Sequence, residues 1–142
     1  METAKRTPIT VETIVNAPVE KVWASWSEPK HITQWTHASD DWHAPYAEND
    51  LRDGGKFKTT MAAKDGSVSF DFEGIYDKVE PYKSIAYTLG DDRKVEIIFT
   101  DQGSTTKVTE IFDPESTNSV ELQQGGWQAI LENFKRYTEA AV

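Results

Sequence analysis

Residues 125–138 read GGWQAILENFKRYT, and this stretch decides the fold. Its apolar side chains recur at the three- and four-residue spacing that places them on one face of a helix. That face comprises Trp127, Ile130, Leu131, Phe134 and either Tyr137 or Thr138, and Val120 and Gln124 continue it upstream. The spacing predicts a C-terminal helix that has to bury one side against a large apolar surface.

The N-terminal part of the chain predicts one strand and then two short helices. Residues 9–15 alternate between two faces, of which the inward one carries Ile9, Val11 and Val15. Pro18 suits the first turn of the helix that follows, because its missing N–H would be unpaired there. The apolar stripe of this helix consists of Val19, Val22, Trp23 and Trp26. Residues 30–35 predict the second helix, which presents Ile32 and Trp35.

From residue 41 onward the pattern predicts a meander of about six strands, divided by turn-forming Gly, Asp and Pro residues. Alternate positions are apolar and are expected on the buried face. They are Phe57, Met61, Phe70, Phe72, Ile85, Tyr87, Leu89, Val95, Ile97 and Phe99. The opposite face carries charged residues and is expected to meet water. A sheet with one wet face has to bury the other one, and the last helix is the large partner available.

Length and composition restrict the class of protein further. The 142 residues suit one α+β domain spanning 1–142, with the order β-α-α-β(5–6)-α. The net charge of -9 argues against binding to nucleic acid or to an anionic membrane. The chain has no Cys and no apolar run that could span a bilayer, and residues 1–8 are too polar for a signal peptide. We therefore expect a cytoplasmic protein without disulfides.

Three segments carry a family resemblance. The first is residues 16–23 (NAPVEKVW) with the Ser-Glu-Pro of 27–29 and the Gln-Trp of 34–35. The second, residues 50–57 (DLRDGGKF), is the most specific. The third joins Gly74, Pro81 and residues 85–88 (IAYT) to Gly126, Trp127 and Leu131. The chain resembles the START-like or SRPBCC superfamily, in the branch related to the C-terminal domain of the activator of Hsp90 ATPase (AHSA1-like).

This resemblance implies a helix-grip fold of the START/Bet v 1-like kind. In such a fold a curved antiparallel sheet of six to seven strands surrounds a long C-terminal helix, and two short helices close one end of a deep cavity. The resemblance also implies either the binding of a hydrophobic ligand or a chaperone-associated role in the stress response.

The cavity is expected to take a small hydrophobic or aromatic molecule. The residues predicted to bind it are Trp35, Trp42, Phe57, Met61, Phe72, Tyr87, Phe99, Glu110, Trp127 and Leu131. Gly125 and Gly126 favour a kink or a gap where the cavity opens, since each glycine weakens a helix. In the alternative, the helix begins at Gln124 or later and there is no gap.

Glu110 is the candidate for acid–base chemistry. Strand alternation places it on the same face as Val108 and Phe112, where an apolar environment would raise the pKa of its carboxyl. In the alternative, a one-residue bulge turns Ile111 inward and leaves Glu110 in water.

Other polar groups favour no cofactor or metal. His31, His37 and His43 lie six residues apart and match no standard metal motif. Of the three, His43 follows Trp42 where a strand would border the cavity mouth, and exposure to solvent is the alternative. Residues 54–55 (Gly-Gly) predict a turn that begins a strand, because no helix follows as in a phosphate loop.

Arg52 is expected to pair with Asp50 or Asp53, and the alternative is a contact with a ligand carboxylate.

Three functions stay open at this level. The first is a small-molecule binding domain, the second is a chaperone-associated interaction domain, and the third is an enzyme that uses the same cavity. No nucleophile with the spacing of a hydrolase is present, and the residues name no reaction.

Overall fold

The computed structural model describes residues 7–140. The prediction about the N-terminal segment rests largely on residues 1–6, which lie outside this range, as do residues 141–142. The strands are β1 (Ile9–Val15), β2 (Trp42–Asn49), β3 (Lys56–Ala63), β4 (Ser69–Glu80), β5 (Ser84–Leu89), β6 (Lys94–Asp101) and β7 (Thr106–Phe112). The helices are α1 (Val19–Ser27), α2 (Pro29–Trp35) and α3 (Val120–Ala140). This order confirms the predicted α+β class.

The strands form one antiparallel sheet in the order β1-β7-β6-β5-β4-β3-β2. Consecutive strands from β2 to β7 are neighbours, and β1 closes the series by pairing with β7. The sheet curls around α3, as in the helix-grip fold. Among residues 7–140, no helix combines the length and the apolar character needed to cross a membrane.

The two short helices pack between the end of the sheet and α3. The Trp35 indole Nε1 donates a hydrogen bond of 2.9 Å to the carbonyl of Ser25, which fixes α2 against α1. The rings of Trp26 and Trp35 each lie 4.9 Å from the ring of Phe134, centroid to centroid. These contacts join all three helices through one aromatic cluster.

Helix α3 buries its predicted face along its C-terminal half, where Leu131, Phe134 and Thr138 are fully buried. The upstream continuation of that face was predicted wrongly. Gln124 is exposed and Gln123 is buried instead, because Gln123 lies four residues before Trp127 and so shares its side of the helix. Val120 is exposed as well.

The segment 50–57 forms the predicted turn into β3. The Arg52 guanidinium Nε donates to both carboxylate oxygens of Asp50, at 3.0 and 2.9 Å, and both side chains are exposed. Arg52 thus forms the expected ion pair, and its partner is Asp50 rather than Asp53. At Gly55 a Cβ atom would lie 2.0 Å from the Asp50 carbonyl oxygen, so the turn excludes any side chain there.

The predicted buried face is correct for β5 and β6, whereas Phe70 at the start of β4 departs from it. Its side chain is 49% exposed. It lies on the concave face of the sheet, as alternation predicts, and Met61 is its cross-strand partner on β3.

Candidate functional site

A cavity of about 420 Å³ opens between the concave face of the sheet, α2 and the N-terminal half of α3. Its wall includes aromatic, aliphatic and polar side chains from the helices, the strands and the β7–α3 loop. The lining residues are Trp26, Ile32, Trp35, Thr36, Glu48, Asn49, Phe57, Thr59, Met61, Phe70, Phe72, Tyr76, Tyr87, Arg93, Glu110, Glu115, Asn118, Gln123, Trp127 and Ile130.

Phe57 is the centre of the aromatic wall on the sheet. Its ring centroid lies 4.7 Å from that of Tyr87, 5.1 Å from Tyr76 and 5.9 Å from Phe72. Tilted and edge-on pairs of this kind are favourable beyond the area they bury. The ring sits over Gly74, where a Cβ atom would approach it to 3.0 Å. Glycine at this position therefore lets the aromatic wall lie against the backbone of β4.

Trp127 forms the opposite wall on α3. Its ring stacks on Phe112 with a centroid distance of 3.8 Å and an interplanar angle of 8°, and it meets Phe72 at 6.1 Å. Helix α3 continues through Gly125 and Gly126, so the alternative of a later helix start is wrong. A Cβ atom at either glycine would meet no atom within 4 Å beyond the helix's own backbone. Gly125 is exposed and neither glycine lines the cavity, so a gap at the cavity mouth stays a prediction.

Glu110 lies on the cavity side of β7. The register of β7 is unbroken against both β1 and β6, so the bulge alternative is wrong and Glu110 faces inward. Its side chain is 6% exposed. Burial raises the pKa of the Glu110 carboxyl from its ordinary value of 4.5 to about 8, because the charged form loses its hydration.

The Tyr87 hydroxyl lies in the same electrostatic environment. Burial raises the pKa of Tyr87 well above its ordinary value, and the negative charge of Glu110 raises it further. Tyr87 therefore stays neutral at ordinary pH, and its hydroxyl can act as a hydrogen-bond donor to a ligand.

A chain of hydrogen bonds through Tyr76 and Asn49 holds one part of the cavity rim. The Tyr76 hydroxyl donates to the Asn49 Oδ1 at 2.5 Å, and the Asn49 Nδ2 donates to the Ser27 carbonyl at 2.7 Å. This chain of bonds ties β4 to the end of α1 through β2. Burial raises the pKa of Tyr76, so its hydroxyl also remains protonated.

Gln123 organises the loop between β7 and α3. Its Oε1 accepts the Glu115 backbone N–H at 2.8 Å, and its Nε2 donates to the carbonyls of Glu115 and Asn118 at 3.1 and 2.9 Å. The buried amide thereby satisfies three backbone groups and holds Glu115 and Asn118 at the cavity wall.

Most of the residues predicted to bind a ligand come together at this cavity. Those that line it are Trp35, Phe57, Met61, Phe72, Tyr87, Glu110 and Trp127. Trp42, Phe99 and Leu131 do not line it, and for them the prediction is wrong. Phe99 packs against Trp23 and Trp26 at 5.3 and 5.8 Å, and Leu131 is fully buried in the core. Trp42 lies beside Phe70, with ring centroids 6.0 Å apart.

Several lining residues were missed by sequence reasoning. Thr59 shares the alternation of Phe57 and Met61, so the pattern of β3 could have identified it. Tyr76 continues the alternation of Phe70 and Phe72, because the register shift in β4 comes only after it. Gln123 lies four residues before Trp127, so the helical spacing could have identified it as well.

The three histidines lie away from the cavity wall. The His31 Nδ1 forms a hydrogen bond of 2.5 Å with the Tyr137 hydroxyl, which joins α2 to α3. His43 is exposed, so of its two alternatives the structure shows the solvent-facing one. Within residues 7–140, no group of three or more His, Cys, Asp or Glu side chains is arranged to hold a metal ion.

The curled sheet, the long C-terminal helix and the cavity between them define a helix-grip protein of the START-like type. A family model described as "Activator of Hsp90 ATPase homolog 1-like protein" matches residues 16–139. The chain belongs to this family. No curated protein matches it at a significant level.

Solved structures agree with this assignment. An AHSA1-like protein from Aeromonas hydrophila is 42% identical, with a TM-score of 0.89 over 94% of this chain and 93% of that one. A protein from Cytophaga hutchinsonii is 61% identical, with a TM-score of 0.81 over 94% and 92% of the two chains. Protein CV1439 from Chromobacterium violaceum shares the fold at 21% identity, with a TM-score of 0.84 over 94% and 99%.

Proposed function

We propose that the chain is a cytoplasmic small-molecule binding domain, spanning residues 1–142, whose ligand has a hydrophobic or aromatic body. The observation that carries this proposal is the aromatic-lined space of about 420 Å³ between the sheet and α3. Pockets of this size and composition are typical of small-molecule sites.

The energetics of the cavity support the same conclusion. Burying apolar surface contributes about 25 cal/mol per Å², so a ligand of moderate size gains several kcal/mol from the aromatic walls alone. Phe57 and Trp127 face the space from opposite sides, and the polar rim supplies groups that can orient a ligand. The ligand-binding residues we propose are those predicted ones that line the cavity.

A pair of matched substitutions tests this function. Thr59 is buried and lines the cavity, so Thr59→Phe places a ring inside it. Thr100 is exposed on the opposite face of the sheet, so Thr100→Phe makes the same chemical change outside. We expect a panel of hydrophobic and aromatic compounds to include ligands that quench tryptophan fluorescence with saturation. Thr59→Phe should abolish this response and Thr100→Phe should retain it.

The proposal would be contradicted by a panel without any saturating ligand, or by a folded Thr59→Phe variant that binds as tightly as the wild type. Mass spectrometry of small molecules that co-purify with the chain gives an independent readout. A compound released from the wild type and absent from folded Thr59→Phe would support the proposal.

A chaperone-associated role is the second candidate, and the description of the matching family favours it. Titration of purified Hsp90 with the labelled chain would test it by fluorescence anisotropy. Because such an interaction would use the exterior, we expect Thr59→Phe to leave it unchanged. Absence of binding at micromolar concentrations would remove this candidate.

A further inference from the structure

Glu110 is a buried carboxyl without a protein partner. Its side chain is 6% exposed and lines the cavity. Within the part of the chain that the structure describes, no hydrogen bond or ion pair reaches its carboxyl oxygens, and burial alone accounts for its raised pKa. Because the Glu110 side chain lines the cavity, its carboxyl oxygens are available to pair with a ligand there.

The charged side chains along the wall have an acidic balance. Glu48, Glu110 and Glu115 line the cavity, and Arg93 is the one cationic side chain among the lining residues. The Arg93 Nε already donates to the Asp91 Oδ2 at 2.7 Å. Its charge is therefore partly neutralised outside the cavity. Acidic side chains therefore outnumber basic ones among the described lining residues, a balance that disfavours an anionic ligand and favours a cation.

The aromatic walls favour a cation as well. Rings of Phe57, Phe72, Tyr87 and Trp127 surround the space on the sheet and helix sides. The faces of such rings are electronegative, and an organic cation gains energy over them when water is excluded. A protonated amine in the cavity would therefore lie among aromatic rings, with the Glu110 carboxyl in the same wall.

We propose that the cavity selects molecules that carry one protonated amine on an aromatic or hydrophobic body, and that Glu110 binds the amine. This inference rests on the proposed function, because it specifies the ligand of the same cavity. Binding brings a positive charge next to Glu110, so the carboxyl gives up its proton to solvent and the amine N–H donates to the resulting carboxylate. The net-negative chain also attracts a cationic ligand over a distance.

The groups that face Glu110 support a simple pH dependence. On β5 and β4, Tyr87 and Tyr76 stay neutral because burial raises the pKa of each hydroxyl. Arg93 contributes a guanidinium, and its Nε donates to the Asp91 Oδ2. The wall of α3 contributes Gln123, Trp127 and Ile130, which do not titrate, and the residues paired with Glu110 on β1 and β6 are Val11 and Ile97. The side chains of Glu48 and Glu115 also line the cavity.

Three probes of equal shape test the proposal: naphthylethylamine, naphthylethanol and naphthylpropanoate. We expect the amine to bind roughly 10- to 100-fold more tightly than the alcohol, which is the contribution of a charged hydrogen bond. The propanoate should bind most weakly. With a Glu110 pKa of about 8, the affinity for the amine should rise about 50-fold from pH 6 to pH 8. Affinity for the alcohol should change little.

Glu110→Gln keeps the shape of the side chain and removes its charge. It should erase the advantage of the amine over the alcohol and the pH dependence, while the alcohol still binds. Glu96→Gln makes the same change on the exposed face of β6 and should leave both intact. Thermal melting of both variants shows whether each is folded.

Calorimetry in buffers of different ionisation enthalpy supplies a further readout. We expect release of about 0.9 proton per amine bound at pH 7, and none with the alcohol. Equal affinities for amine and alcohol, or amine affinity that is independent of pH, would overturn the inference and leave the proposed function standing. Failure of all three probes to bind would count against both.

Discussion

The space between the sheet and α3 has two ends that differ in packing although both are rich in aromatic residues. At the closed end, Leu131 and Phe134 are fully buried, and the Phe134 ring touches two tryptophan rings. At the open end, Trp127 and Ile130 of the same helix border a cavity of about 420 Å³. An apolar pattern therefore tells which side chains face inward, and it does not tell whether they fill the space between them.

The largest effect should come from truncating the closed end. Leu131→Ala removes a fully buried side chain from a filled core and should lower the free energy of unfolding by about 3–5 kcal/mol. Ile130→Ala, one residue away, should cost clearly less, because its side chain already borders empty space. Urea denaturation of both variants measures the difference. Equal losses would mean that the two ends are packed alike.

The next effect concerns the charge at the open end. Folded chain keeps the proton on Glu110 up to its pKa of about 8, whereas unfolded chain loses it near 4.5. The stability that this group contributes is thus complete below about pH 4.5 and is lost as the pH rises toward 8. Glu110→Gln does not titrate, so at pH 8 it should be more stable than the wild type by on the order of 4 kcal/mol.

This gain should shrink as the pH falls toward 5, and chemical denaturation across that range would show it. Glu96→Gln, which changes an exposed carboxyl, should follow the wild type throughout. A constant difference between Glu110→Gln and the wild type from pH 5 to pH 8 would contradict the burial of this carboxyl.

A smaller effect sharpens the comparison at the glycines of α3. Gly125→Ala and Gly126→Ala should each raise the free energy of unfolding by about 0.5–1 kcal/mol, because the added methyl meets open space and alanine favours the helix. Gly55→Ala is the opposite case, since its Cβ would collide with the Asp50 carbonyl. Thermal melting separates these outcomes. Destabilisation by Gly126→Ala would show that this side of α3 is packed.

The smallest effect should come from the turn before β3, which belongs to neither the closed end nor the open end of the space between the sheet and α3. Arg52→Ala breaks an exposed ion pair with Asp50, and such pairs contribute about 0–1 kcal/mol. We expect a change of at most about 0.5 kcal/mol and unchanged ligand affinity. A loss of affinity would return Arg52 to the list of ligand-binding candidates.

The sequence was sufficient for the element order and for the inward faces of β5, β6 and the C-terminal half of α3. Strands and helices repeat every 2 and 3.6 residues, so the spacing of apolar residues indicates both the type of element and its buried face. Glu110 shows the limit of such patterns. The sequence of β7 was equally consistent with regular alternation and with a one-residue bulge. The structure shows regular alternation, because β7 pairs without a register shift with both β1 and β6.

The candidate site was less predictable than the fold. Phe99 and Leu131 face inward as expected, yet neighbouring side chains occupy the space around them, which depends on how the helices pack. Phe70 also follows the alternation, yet its side chain is half exposed. Tyr76 and Gln123 follow the spacing of Phe72 and Trp127, but only the packing of the helices against the sheet shows that they border a cavity.

Chemical-shift mapping with the tightest-binding naphthyl probe tests the central claim most directly. The account predicts that saturation shifts the indole signal of Trp127 and the amide signals of Gly126 and Phe57 at the open end. The indole signal of Trp23, which packs against Phe99 and Tyr82, should stay in place. Shifts confined to Trp23 and the closed end, or spread over the exposed face of the sheet, would contradict an open cavity as the binding site.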